Sequence, residues 1–142
     1  MKTYSYAAHF EPNGVPGGFT VTFPEIPEAI TQGDNMSEAR DMAADALGIV
    51  LLTYLELGRP LPEALAVGTM ISPDPGISAK IAVIETFASA GISRTELARR
   101  MGKDEKEARR VLDPNVSTKL PLLMQALSAM GRRLVVGLEA AE

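Results

Sequence analysis

Ser93-Arg94-Thr95-Glu96-Leu97-Ala98-Arg99-Arg100-Met101-Gly102-Lys103-Asp104-Glu105-Lys106-Glu107-Ala108-Arg109-Arg110-Val111-Leu112 is the stretch on which the reading of this chain turns. Ser93 and Glu96 have the spacing of a capping box, in which a hydroxyl and a carboxylate satisfy backbone N–H groups at a helix start. Leu97, Ala98 and Met101 then fall on one helical face. Gly102 stands where a left-handed residue lets the chain reverse at little steric cost. Asp104-Glu105-Lys106-Glu107 offers a second N-terminal cap immediately afterwards. Ala108, Val111 and Leu112 are spaced to fold back on the first helix, and the small Ala98 suits a close crossing. The pattern predicts a helix-turn-helix ending near Leu112. Lys106, Arg109 and Arg110 are left pointing outward from its second helix, the one that enters the major groove in DNA-binding versions of the motif. Spacing alone leaves two readings open: a groove-reading helix, or a solvated basic face on a common helical pair.

Downstream, Asp113-Pro114-Asn115 ends that helix. Ser117 or Thr118 is expected to cap another, with Leu122, Leu123, Ala126, Leu127 and Met130 inward and Gly131 as its stop. Arg132 to Leu138 reads as a short terminal strand, Leu134-Val135-Val136 being a run that wants a partner. Upstream, Ser78 can cap a helix over 79–90, with Ile81, Ile84 and Phe87 or Ala88 inward and Gly91 after it. Ser72-Pro73-Asp74-Pro75-Gly76 interrupts both helix and sheet and marks a boundary. The expected division is therefore a first domain over 1–72, a linker over 73–77 and a second domain over 78–142.

The first domain begins as a hairpin. Tyr4, Tyr6, Ala8 and Phe10 alternate with Ser5, Ala7 and His9, and Phe19, Val21 and Phe23 alternate with Thr20 and Thr22, the period of half-buried strands. Between them, Glu11 to Gly18 is dense in Pro, Asn and Gly, residues that favour turns. A strand follows it, not a helix N-terminus, so the geometry of a phosphate-binding glycine loop is missing. Phe23-Pro24-Glu25-Ile26-Pro27-Glu28 is a rigid bridge, because each proline removes a backbone donor. Ala29 to Gly33 makes a third strand and Asp34-Asn35-Met36-Ser37 a turn ending in a helix cap. The helix from Glu38 to Leu57 sets Ala39, Met42, Ala43, Ala46, Leu47, Val50, Leu51 and Tyr54 inward, and Glu38, Asp41, Asp45 and Glu56 outward. Leu65 to Ile71 is apolar enough for a last strand. The order β-β-β-α-β places one helix on a small antiparallel sheet, and the whole chain is of the α+β class.

Charge divides at the same boundary. Residues 1–76 hold 3 Lys+Arg against 10 Asp+Glu, a net of −7, and residues 77–142 hold 11 against 8, a net of +3, which together give the chain's −4. A basic half hints at nucleic acid, and an acidic half suits a basic protein partner. The 142 residues contain no Cys, which removes disulfides, zinc-thiolate sites and thiol nucleophiles. Met1 to Phe10 lacks the continuous apolar core of a secretory signal, and the run from Leu47 to Leu55 is too short to span a bilayer. A cytoplasmic protein with no membrane association is expected.

The means for catalysis are sparse. His9 is the single histidine, on a strand patterned for packing, and no G-x-S-x-G elbow accompanies it. The acidic positions of the first helix read as a solvated face more readily than as a two-metal nuclease site. No catalytic residue, metal or cofactor is assigned.

The hairpin, the bridge, Thr31-Gln32-Gly33-Asp34 and the start at Ser37, Glu38 and Ala39 resemble the N-terminal domain of HicB antitoxins, whose pattern runs F-P-D-L-P-G-x-x-T-x-G-x-(S/T)-x-x-E-A. This chain has Glu25 and Ile26 at the acidic and apolar positions, and Glu28 where glycine is usual. The helices around Ser93 to Leu112 resemble an Xre/Cro-type DNA-binding domain, found in many HicB proteins and followed there by a tail like Gly131-Arg132-Arg133-Leu134.

The resemblance implies a truncated RNase H-like N-terminal domain that masks a small, basic, RNA-cleaving HicA-like toxin, followed by a helix-turn-helix repressor of the pair's own operon. The toxin-binding candidates are Phe23, Pro24, Glu25, Ile26, Pro27 and Glu28 of the bridge with Glu38, Asp41 and Asp45 of the helix. The DNA-binding candidates are Lys106, Arg109 and Arg110 at base edges, with Ser93, Thr95, Lys103 and Lys119 nearer phosphates. Asp104, Glu105 and Glu107 lie close to that surface and repel phosphate. A single helix-turn-helix of this size buries too little surface to select a genomic site, so a homodimer or higher homo-oligomer on double-stranded operator DNA is expected, with Leu134 to Leu138 a candidate for pairing across it. A ligand-sensing helix-turn-helix regulator without a toxin partner is the alternative reading.

Overall fold

Four strands, β1 (Tyr6–Pro12), β2 (Phe19–Thr22), β3 (Ile30–Gly33) and β4 (Thr69–Ile71), form one antiparallel sheet in the order β3-β2-β1-β4. The computed structural model describes residues 1–141; Glu142, the last residue of the expected second domain, lies outside them. The chain folds as two units, Met1–Pro75 and Gly76–Ala141.

In the first unit β1 is shared between two partners. Its C-terminal half pairs with β2, Phe10 opposite Val21, and its N-terminal half pairs with β4, Tyr6 opposite Ile71. Tyr6, Ala7 and Ala8 are all buried, so both faces of the sheet are covered there, where simple alternation predicts every second residue. The helix α1 (Met36–Glu56) packs on β3, β2 and β4 through Ala39, Ala43, Leu47, Leu51 and Tyr54. Met42, expected inward, is exposed instead, the buried stripe running through Ala39, Ala43, Leu47, Gly48, Leu51 and Tyr54.

Gly33 sets how closely α1 approaches the sheet. A Cβ at this position would lie 2.4 Å from the Ala39 nitrogen and 2.6 Å from its Cα, well inside van der Waals contact. The helix starts earlier than expected. Asn35, not Ser37, is the cap: its backbone is extended and its side chain accepts from Glu38 N at 2.8 Å. Glu38 reaches back to accept from Asp34 N at 3.2 Å.

The second unit is helical: α2 (Pro75–Ala90), α3 (Arg94–Met101), α4 (Glu105–Leu112) and α5 (Leu120–Ala129). Its core joins Ala79 and Val83 of α2, Leu97 and Met101 of α3, Val111 of α4 and Leu123, Ala126 and Leu127 of α5. Of the expected inward positions, Ile84 and Phe87 are half-buried and Ala88 is exposed, while Val83 is fully buried. The first helix begins at Pro75 rather than after Ser78. A proline's fixed φ suits the first helical turn, where its missing N–H would have no intrahelical acceptor. The irregular part of the expected linker therefore stops at Asp74.

Two further expectations are corrected. Neither Ser117 nor Thr118 caps α5; Lys119 occupies that position without a side-chain cap bond, and Pro121 stands in the first turn. Residues 132–141 form no strand. Leu134 packs against the core, but Val135, Val136 and Leu138 are exposed, and no strand of the second unit offers them a ladder of N–H and C=O groups.

Candidate nucleic-acid and partner surfaces

Helices of eight residues are marginal on their own, so α3 and α4 depend on their caps and neighbours. Ser93 Oγ accepts from Glu96 N at 3.0 Å, and Asp104 accepts from Glu107 N at 2.9 Å. Gly102, at φ +66°, ends α3 in the left-handed region, with Lys103 N donating to Ala98 O. The C-terminal carbonyls are then taken up from other helices. Gln125 of α5 donates to Met101 O at 2.9 Å, and Lys80 of α2 donates to Arg110 O and Val111 O at 3.0 Å each.

All seven sequence-proposed DNA contacts are exposed. Lys106, Arg109 and Arg110 share one face of α4 at i, i+3 and i+4, and their side chains make no hydrogen bond or ion pair among the described residues. Lys119 is brought close to the C-terminal end of α4, because Thr118 and Arg110 O are held by the same Lys80 ammonium. Lys103 lies in the turn between α3 and α4. Ser93 and Thr95 are less available than the sequence implies. The Ser93 hydroxyl is the cap of α3, and Thr95 donates to Glu105 Oε1 at 2.9 Å.

The acidic residues nearby are mostly engaged as well. Asp104 is a cap, Glu105 accepts from Thr95, and Glu96 is gripped by Arg99 at 2.6 Å, with Arg100 at 3.7 Å. The Arg99 hydrogen bonds hold the Glu96 carboxyl below the usual carboxylate range. Glu96 therefore does not complete the capping box expected with Ser93; its charge goes to the arginines instead.

The bridge between β2 and β3 is a pair of successive turns, Ile26 N donating to Phe23 O and Ala29 N to Ile26 O. This spacing drives Phe23, Ile26 and Ala29 into the core, so the side chains of Phe23 and Ile26 are not surface groups. Pro24 and Pro27 are exposed. Glu25 Oε2 accepts from Leu65 N at 2.7 Å and Ala66 N at 2.9 Å, tethering the segment that leads to β4. Glu28 accepts from the Tyr54 hydroxyl and pairs with Arg59 at 3.3 Å, while the Arg59 guanidinium lies 3.9 Å over the Tyr54 ring. The Tyr54 hydrogen bond is the main reason the Glu28 carboxyl titrates lower than usual, and burial pushes the Tyr54 phenol up.

Glu38, Asp41 and Asp45 are exposed on α1, beside the exposed apolar side chains of Met42 and Ile49. Among the described residues no group of three or more His, Asp or Glu is placed to hold a metal ion, and no helix is long and apolar enough to cross a membrane. The clasp of Tyr54 and Arg59 on Glu28 and the role of Lys80 escape a sequence reading, since each joins residues tens of positions apart with no local signature.

Residues 5–69 match the family described as HicB_like antitoxin of bacterial toxin-antitoxin system. Relatives extend the likeness across both units. Antitoxin HicB 1 of Photorhabdus laumondii is 35% identical over 140 residues, spanning 98% of this chain and 90% of its own. Antitoxin HicB of Escherichia coli K12 is 35% identical over 121 residues, 83% of this chain and 88% of its own. Antitoxin HicB of Pseudomonas fluorescens is 33% identical over 146 residues, 99% and 97%. With similarity of this extent running through the sheet unit and the helical unit alike, the chain belongs to the HicB-like antitoxin family of bacterial toxin-antitoxin systems.

Proposed function

We propose that this chain is the antitoxin of a type II pair, neutralising a small basic HicA-like RNA-cleaving toxin with its first unit and repressing its own operon with its second. The observation that carries the reading is that likeness to antitoxins spans two units of opposite net charge, −7 over 1–76 and +3 over 77–142. Neither role requires catalysis by this chain. On this reading the first unit is a truncated RNase H-like module used for protein recognition. Its contact surface centres on Glu38, Asp41 and Asp45 with Met42 and Ile49, a mixed acidic and apolar face suited to a basic partner. The bridge contributes Pro24 and Pro27 and sets the shape, its carboxylates being tied to the chain's own groups.

The second unit acts as an Xre/Cro-type helix-turn-helix domain, with α4 in the major groove of operator DNA. Lys106, Arg109 and Arg110 reach base edges, and Lys103 and Lys119 flank them at phosphates. A cytoplasmic homodimer reading two half-sites supplies the buried area that one such unit lacks.

The test is co-expression of the tagged full chain with the short basic reading frame beside its gene, together with titration of the duplex upstream of that gene. Co-purification, relief of growth arrest and sequence-dependent binding are expected. A chain that captures neither the neighbouring gene product nor its upstream DNA overturns the proposal.

A further inference from the structure

Lys80 is the one charged residue in the buried set of the described residues, 4% exposed. It belongs to α2, yet all its side-chain hydrogen bonds run to other elements: Nζ donates to Arg110 O and Val111 O at 3.0 Å each, and to Thr118 Oγ1 at 2.6 Å. An ammonium has three donors and no acceptor, so this set satisfies it completely. Two of the three partners are carbonyls at the end of α4, where the negative end of a helix favours a cation. No side chain on α4 itself performs that task. The third partner lies just ahead of α5.

We propose that Lys80 is a positioning residue for operator recognition: it ties the C-terminal turn of α4 to α2 and to the segment before α5, and thereby sets the angle at which Lys106, Arg109 and Arg110 are presented. The inference rests on the reading of α4 as the groove helix and names the residue that aims it from behind. Lys80 is buried, so it meets no phosphate. Removing its charge therefore acts on how α4 and the segment before α5 are held, and leaves the exposed cations unchanged in number and kind.

Burial lowers the Lys80 pKa to about 8, with Asp113 opposing the drop and Arg110 adding to it. These are the charged groups facing it, Arg110 from α4 and Asp113 from the turn that follows; the segment before α5 presents the Thr118 hydroxyl. Once the proton is lost, two N–H donors remain for the Arg110 and Val111 carbonyls and the lone pair can only accept from the Thr118 hydroxyl, so the contacts can persist but the attraction of a positive charge for the carbonyl end of α4 is gone.

The experiment measures binding of the full chain to two probes, the duplex upstream of its own gene and a scrambled duplex of equal length, from pH 6.5 to 9.5. Operator affinity of the unmutated chain is expected to fall as pH rises through about 8. Lys80→Met, compared well below its melting temperature, is expected to lose about tenfold in operator affinity and less than about threefold on the scrambled duplex, since base contacts demand alignment that phosphate contacts do not. Lys80→Arg keeps the charge at every pH and is expected to restore binding while flattening the pH profile. Thr118→Val removes one acceptor and gives a smaller loss of the same kind if Lys80→Met does not fold. A merely structural lysine would lower melting temperature in Lys80→Met with equal losses on both probes, which overturns the proposal. So does a pH profile in Lys80→Arg identical to that of the unmutated chain. If the unmutated chain shows no preference for its own upstream DNA, the groove-helix reading itself has failed, a result distinct from a preference that survives Lys80→Met.

Discussion

The bridge and α4 both present charged side chains, but they use them in opposite ways. In the bridge, Glu25 and Glu28 are held by Leu65 N, Ala66 N, Tyr54 and Arg59, so their charge works inside the fold. On α4, Lys106, Arg109 and Arg110 face solvent, and the helix is held from behind by Lys80. A charged residue conspicuous in sequence can thus be a tether or a contact, and its hydrogen-bond partners tell which. Replacing a tether should change stability, and replacing a contact should change binding.

The largest effect is expected on the contact side. Arg109→Ala with Arg110→Ala should weaken operator binding by about 4 kcal/mol, roughly a thousandfold, if each arginine makes a good base contact. Melting temperature and capture of the toxin should be unchanged; a gel-shift titration beside a melting curve separates the two. Loss of both functions together would break the division between the units.

Gly33→Ala should follow at about 3 kcal/mol of stability, because the added carbon meets the backbone of α1 and not a movable side chain. Denaturant melts measure it. Glu25→Ala should come next, at about 2 kcal/mol, since two N–H groups lose a charged acceptor. If Glu25 were instead a contact with the toxin, the variant would melt normally and bind weakly.

Lys80 gives a prediction about pH. Its native pKa of about 8 lies below the 10.5 of a free lysine. Between those values the unfolded chain holds a proton that the native chain has released, so raising the pH there favours the native state. The gain is at most about 1.4 kcal/mol per pH unit. Denaturant midpoints of the unmutated chain should therefore rise above pH 8 relative to those of Lys80→Met, even as operator affinity falls. Asp41→Asn with Asp45→Asn should be the smallest change, about 1 kcal/mol in toxin affinity with salt sensitivity reduced and no loss of stability, as calorimetry at two salt concentrations would show.

The signals that were legible in the sequence are local ones. Ser93, Gly102 and Asp104 work as expected because a cap or a reversal is decided within a few residues. The alternation of Phe19 and Val21 and the helical spacing of Leu47, Leu51 and Tyr54 likewise set which face is apolar before any partner is known. Where several local signals compete, the outcome depended on surroundings. Asn35 rather than Ser37 starts α1, at the point where the helix backbone lies against Gly33 of β3. Lys119 rather than Thr118 stands at the cap of α5, and the Thr118 hydroxyl accepts from Lys80 instead. The tail from Leu134 to Leu138 has strand-forming residues but no strand beside it within its own unit.

By itself, then, the order of residues determined the kinds of element, the turns between them and the separation of an acidic half from a basic one, since periodicity, caps and charge are properties of neighbours along the chain. Only the folded molecule decided that Phe23 and Ile26 are core, that Glu25 and Glu28 are tethers, and that a lysine in α2 holds the end of α4. The tethers and the lysine's hold rest on contacts between residues 26 to 41 positions apart, and a hydrogen bond at such range is fixed by three-dimensional proximity that no short pattern encodes.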